Sequence, residues 1–285
     1  MTVPLLNKAK NRMNETVIIA TYVVIDEVLQ HAGEHRHPLS QVSDAEVLTI
    51  AVVAALYFHN HQERALCMMR ACGYIPGRLS ISRYNRRIHA LRDWLATLVE
   101  VLADLFSSVS VYIIDSLPVP VCRRVRASRC RKVKGRVYYG YCAAKDEKFF
   151  GWRLHLVCTP TGLPVSFSLL PASLHDLTAV HELTCQLPPG ALVVADKGYN
   201  CAHDEASILA HTGVRLVVQR RDNMLPNTPA DDQLIRQHRH MIETVNSQLE
   251  AMGIQRLRAR TNEGFILKVH ATLLALICAK FAAPV

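Results

Sequence analysis

The sequence runs to 285 residues, 50% of them apolar, 20% charged and only 6% aromatic. That excludes a disordered acidic chain and allows one large or two modest domains with mostly aliphatic cores. Lys and Arg outnumber Asp and Glu by 33 to 24, a net charge of +9 with histidine neutral, so a polyanionic partner is expected, nucleic acid first.

The N-terminal stretch MTVPLLNKAKNRMNET has no long apolar run followed by a small-residue cleavage site, so no signal peptide is expected. The apolar stretches Val47–Phe58 and Ala271–Ala279 fall short of the about 20 residues a spanning helix needs. The nine cysteines form no CxxC pair, which argues against a zinc ribbon, a thioredoxin-type site or a secreted disulfide framework. A cytoplasmic protein without a membrane partner is expected.

Thr16–Gln30 predicts a helix ending near Gly33. Ser43-Asp44-Ala45-Glu46 is a capping box, its hydroxyl and carboxylate placed to satisfy the first free amides of the helix that follows. Gln62–Cys72 reads as a short amphipathic helix stopped by the segment Gly73–Gly77. A helical pattern then runs from Ser80 or Ser82 towards Phe106 with no glycine or proline to interrupt it. Residues 1–107 therefore read as an all-α region. Residues 62–92 resemble a helix-turn-helix with a long turn, in which Arg83 and Arg87 (i, i+4) and the adjacent Arg86 leave one helix face, where such helices meet DNA. Arg78 and Arg92 flank them.

At Ser107–Ser110 the period changes. Val111–Ile114 is a β-type run ending on Asp115, and Tyr138–Ala144, Gly151–Cys158 and Pro164–Leu170 read as further strands. Asp176 is placed to cap a helix through Gln186, and Ala191–Ala195 is a buried strand ending on Asp196. A helix near His203–His211, a strand over Val214–Gln219, a loop over Asn223–Pro229 and a helix over Leu234–Met252 complete the pattern. Strands followed by alternating helices and strands predict an α/β domain over residues 108–285, a mixed sheet flanked by helices.

Asp115 and Asp196 both follow runs that read as central strands, and ligands of α/β sheets gather at the carboxyl ends of their strands. Two such carboxylates make a hard-oxygen site suited to Mg²⁺ or Mn²⁺. Glu243 is the best third carboxylate. Phosphodiester chemistry wants this arrangement, with two cations about 4 Å apart clamping the attacking and leaving oxygens. Each residue alone has a plainer reading, as a turn, a cap or a solvated helix face; the combination in a basic chain favours the metal.

These residues reach a family. Ile113-Ile114-Asp115-Ser116, Val194-Ala195-Asp196-Lys197-Gly198-Tyr199 and Arg239-x-x-x-Glu243 resemble the three catalytic motifs of bacterial insertion-sequence DDE transposases. Gly151–Leu156, Gly162–Pro164 and His175-Asp176 are similar to that family's intervening segments, and Ile75–Ser80 with Ser82–Arg87 to the insertion-sequence group numbered nine-eighty-two. The resemblance implies an RNase H-like catalytic domain in which Asp115, Asp196 and Glu243 ligate two Mg²⁺ ions, with Mn²⁺ able to substitute. It also implies a protein that binds double-stranded element ends and target DNA, oligomerises there and associates with the nucleoid. Where relatives often carry Tyr and Lys around the third carboxylate, this chain has Arg236 and Glu250, so no role of that lysine carries over.

Between Leu117 and Ala144 lie Arg123, Arg124, Arg126, Arg129, Arg131, Lys132, Lys134 and Arg136 with no acidic residue. Like charges at that density repel unless a phosphate backbone relieves them, so this loop and Arg239 are expected to hold DNA beside the active site. Arg220, Arg221, Arg256, Arg258 and Arg260 form a less informative third set. His31, Glu34, His35 and His37 read as an exposed loop rather than a metal site, and Ser116 lacks the GxSxG elbow of a serine nucleophile. The competing functions are an RNase H-like nuclease without strand transfer and a catalytically silent DNA-binding repressor derived from a transposase.

Overall fold

The computed structural model describes residues 13–34, 40–75, 78–106, 109–221 and 224–282. His35, His37, Pro76, Gly77 and Ser107 lie outside them. The described helices are α1 (Glu15–His31), α2 (Asp44–Phe58), α3 (Gln62–Ala71), α4 (Ile81–Ala90), α5 (Arg92–Phe106), α6 (Leu177–Thr184), α7 (Ala202–Thr212), α8 (Pro229–Ala251) and α9 (Asn262–Phe281). The strands are β1 (Val111–Cys122), β2 (Tyr139–Cys142), β3 (Glu147–Cys158), β4 (Pro164–Pro171), β5 (Leu192–Ala195) and β6 (Arg215–Val218).

The chain divides into two compact units, Met1–Leu102 with Leu249–Val285, and Ala103–Gln248. The last segment thus joins the N-terminal helices, and a linear division at residue 107 does not describe the packing. The reason is α9, which buries Phe265, Leu267, Val269 and a continuous run from Ala271 to Cys278. Its 20 residues are long and apolar enough to cross a bilayer, beyond what the Ala271–Ala279 run suggested, but this surface is buried against α1 and α2.

Helix α2 is the centre of the first unit, buried on nearly every side from Ala45 to Ala55 and packed against α1, α3, α4 and α9. Its start is the expected capping box, with Glu46 N–H donating to Ser43 Oγ at 3.1 Å. The single helix expected from Ser80 or Ser82 to Phe106 is two. Leu91 turns to ψ 10°, its N–H still bonded to Arg87 O, and Trp94 N–H takes the Leu91 carbonyl to start the next helix.

In the second unit the sheet order is β2-β3-β1-β5-β6, with β4 paired to β3 beside β2. β1, β5 and β6 are parallel; β2, β3 and β4 join by antiparallel pairing. One sheet face packs Tyr112, Ile114, Val193, Ala195, Leu216 and Val218 against Val180 and Leu183 of α6 and Ile208 of α7. The other sets Val194 and Val217 against Ile235 of α8. This is the mixed sheet flanked by helices that the pattern predicts.

Among the boundaries that differ from expectation, two bear on the site. β1 does not stop at Asp115 but runs to Cys122, because Ser116–Pro120 still pair with β3. Pro118 and Pro120 lie beyond the last residue paired with β5, where that edge requires no ladder amide. Helix α8 starts at Pro229, not Leu234: Thr228 Oγ1 accepts from Asp231 N–H at 3.2 Å, proline suits the first helical position and Asp231 and Asp232 suit the dipole.

Candidate active site

The register of β1 on β5 pairs Ile113 with Val194 and Ile114 with Ala195. One step further sets Asp115 beside Asp196, the residue after β5, where neighbouring strands lie about 4.8 Å apart. Both follow the residue whose side chain enters the α6–α7 core, so by alternation both carboxylates lie on the face covered by α8. There Asp115, Asp196, Gln219, Arg239 and Glu243 line a small cleft of about 70 Å³ floored by Ile113, Val194, Ile235 and Ile242.

Asp115 is the least exposed of the three carboxylates. Its Oδ1 accepts from Ser116 N–H at 2.7 Å and its Oδ2 from Asn246 Nδ2 at 2.9 Å. Burial, and then the neighbouring Asp196 carboxylate, raise its pKa to about 6 against those two bonds. Asp196 is exposed and its side chain caps nothing; the turn Lys197–Tyr199 follows it directly. Glu243 faces the same cleft but is engaged locally, with Arg239 Nε at 3.5 Å and His240 Nδ1 at 3.6 Å.

Among the described residues no three His, Cys, Asp or Glu side chains converge closely enough to enclose a metal ion. The chemistry of the donors still suits a hard divalent cation. A carboxylate accepts up to about four bonds, so Asp115 keeps lone pairs beyond its two partners. The Asp115–Asp196 repulsion in a partly buried cleft is what a cation offsets, and Glu243, 58% exposed, has room to turn from Arg239.

Sequence reasoning missed two neighbours. Asn246 stands three residues after Glu243 on α8, and that i, i+3 spacing was the available signal. Asp176 precedes α6 as expected but makes no cap bond. It turns towards the sheet, 3.9 Å from Arg153 Nη1 and 4.0 Å from His155 Nδ1. A Cβ on Gly198 would lie 3.1 Å from Asp176 Oδ2, so the glycine after Asp196 lets this carboxylate close on the turn. Burial raises the pKa of Asp176 against the Arg153 charge, and burial lowers that of His155 to about 4.

Of the expected basic segment, Arg123, Arg124, Arg126, Arg129, Arg131, Lys134 and Arg136 are exposed, while Ala127, Cys130 and Val133 pin the loop to the fold. Lys132 is the exception: its Nζ donates to Val121 O at 3.0 Å. In the first unit Arg83 and Arg86 are exposed beside a cleft of about 690 Å³ that Arg78 also lines. Arg87 lines the same cleft but is tied to the fold, Nη1 donating to Val42 O at 2.7 Å and Nη2 donating to Asp44. These bonds give its guanidinium a part in the fold, while Arg83 and Arg86 are the two helix arginines that stand exposed. Glu250 accepts from Gln255 Nε2 at 3.1 Å.

The family model described as the transposase DDE domain matches residues 107–262. No curated protein matches the chain. Among solved structures, the Mos1 transposase paired-end complex with left transposon end is similar at 13% identity over 87% of this chain and 81% of that one, TM-score 0.29. A pre-cleavage Mos1 transpososome is similar at 12% identity over 88% of this chain and 82% of that one, TM-score 0.28.

Proposed function

Because the chain belongs to the transposase DDE domain family, we propose that it binds the ends of an insertion sequence and cuts and joins DNA there by metal-assisted phosphoryl transfer. Asp115, Asp196 and Glu243 are the carboxylates that would hold the divalent ions, two Mg²⁺ or Mn²⁺. Bound there, the ions would supply charge stabilisation for the attacking and leaving oxygens of an in-line displacement. The observation that carries the reading is the β1–β5 register, which brings carboxylates 81 residues apart (196 − 115) to adjacent positions under α8.

In the reaction proposed, water attacks the scissile phosphorus and the 3′ oxygen leaves as a hydroxyl. That hydroxyl then attacks a target phosphodiester, forming a new P–O bond as the target strand's own 3′ oxygen leaves as a hydroxyl, with no covalent link to the protein. The chain's own part is positioning. Asn246 and the Ser116 amide fix the Asp115 carboxylate, and the apolar floor beneath it limits water. Arg239 stands at the rim, bonded to Gln219 Oε1 at 3.3 Å, where a phosphate could replace that partner. The seven exposed cations of 123–136 would hold the DNA backbone, and the helical region up to residue 107, with Arg83 and Arg86, would recognise the ends.

The test is to incubate the protein with Mg²⁺ and linear DNA carrying the inverted repeats that flank its gene. Recessed 3′ ends and joined products are expected. Hydrolysed ends without joined products would make the protein a nuclease only, and binding without cleavage a repressor.

A further inference from the structure

We propose that strand β2 is a stacking platform for unpaired bases of a DNA strand, built from Tyr139 and Tyr141 and bordered by the basic segment 123–136. The proposal rests on the DNA-processing reading above and adds to it a separate binding surface.

Aromatic side chains make up only 6% of this chain. Among the described residues, the Tyr, Phe and Trp side chains that stand exposed are Tyr139, at 39%, and Tyr141, at 48%. Both are on β2, an edge strand, two residues apart. Alternation puts them on the same face, about 7 Å from each other along the strand.

Gly140 between them explains how this face is turned outward. A Cβ there would lie 2.6 Å from Phe149 and 2.7 Å from Ala172. The absence of a side chain lets the inner face of β2 lie flush on those residues, leaving both tyrosines on the outer face. The rings are also held. Tyr139 meets Phe150 edge-on at 4.8 Å, with the Arg124 guanidinium 5.8 Å from its ring centre. Tyr141 donates its hydroxyl to Asp146 Oδ1 at 2.6 Å. Pre-positioned rings lose little freedom when a planar ligand stacks on them.

The surroundings select the ligand. Seven exposed cations precede β2 within residues 123–136, with no acidic residue among them. Aromatic faces beside a cationic track are what a single strand needs, since bases stack on the rings while phosphates pair with the arginines. Paired bases inside a duplex present no free face to such a ring, so the platform favours frayed or single-stranded ends over uncut DNA.

The test uses the full chain in EDTA, where no cleavage intervenes, and anisotropy of a dye-labelled single strand and of a duplex of equal length. Replacing both Tyr139→Ala and Tyr141→Ala is expected to weaken single-strand binding by about tenfold or more and leave duplex binding within about twofold. The double phenylalanine variant should bind like the parent, and a 2-aminopurine strand should be quenched on binding the parent but not the alanine variant. The parent quenching and the phenylalanine variant give an answer even if the alanine variant fails to fold. Unchanged single-strand affinity, equal losses for both DNA forms, failure of phenylalanine to rescue, or no quenching each overturn the platform alone. A parent protein that binds neither DNA form overturns the DNA reading and the platform with it.

Discussion

Asn246 Nδ2 on α8 donates to Asp115 Oδ2 on β1 at 2.9 Å, across 131 residues of chain. The bond joins the sheet to the helix that also carries Glu243, and it holds one oxygen of a carboxylate whose burial works against its ionisation. Asn246→Ala should slow DNA cleavage about ten- to a hundredfold, the worth of a hydrogen bond to a charged group. DNA affinity measured by anisotropy should not change. Asn246→Asp should be slower still, because it adds a like charge beside Asp115. An alanine variant as fast as the parent would remove Asn246 from the site.

The basic segment predicts a salt effect. Neutralising Arg123, Arg124 and Arg126 together, all exposed, should flatten the slope of log K against log salt by about 0.9 for each phosphate no longer neutralised, close to three units in all. Affinity should fall alike for all sequences. An unchanged slope would mean these charges are merely solvated.

Arg87 and Arg83 should separate fold from recognition. Arg87 bonds Val42 O and Asp44 near the capped start of α2, so Arg87→Ala should cost about 1–3 kcal/mol of stability, seen as a lower Tm. Arg83 is exposed with no side-chain bond of that kind; Arg83→Ala should leave Tm unchanged and reduce preference for the element's ends. Equal drops in Tm for both variants would contradict the distinction.

Burial holds the pKa of His270, on α9, down to about 4, with Asp93 opposing the shift. Below its ordinary value of 6.5 the unfolded chain binds a proton that the folded chain refuses. This histidine's contribution is therefore fully present above about pH 6.5 and is lost as pH falls towards 4. Each unit is worth about 1.4 kcal/mol, or about 2 kcal/mol between pH 7 and pH 5. In urea titrations His270→Gln should lose less stability than the parent over that interval. The raised pKa of Asp115 acts with the opposite sign but is common to both proteins. Identical losses would contradict the assignment.

Much of this was legible in the sequence, for identifiable reasons. Val111–Ile114 and Ala191–Ala195 are apolar on both faces, as buried parallel strands must be, and each points to the aspartate after it. Ser43 and Glu46 announced the start of α2 through local hydrogen bonding alone. What escaped was set by tertiary packing. The strand past Asp115 exists because β3 pairs with it, the break at Leu91 leaves no mark in composition, and α9 joins the first helices only through its buried apolar surface. Asp176 looked like a helix cap because its partners, Arg153 and His155, come from a different strand.

The most direct test replaces Asp115→Asn and Asp196→Asn separately and measures Mg²⁺-dependent cleavage of end-bearing DNA alongside DNA affinity. Removing one charge from a site that clamps cations should lower the rate by orders of magnitude in either variant, with affinity nearly intact. If either variant cleaves at the parent rate in Mg²⁺, these two carboxylates are not the metal site and the account fails.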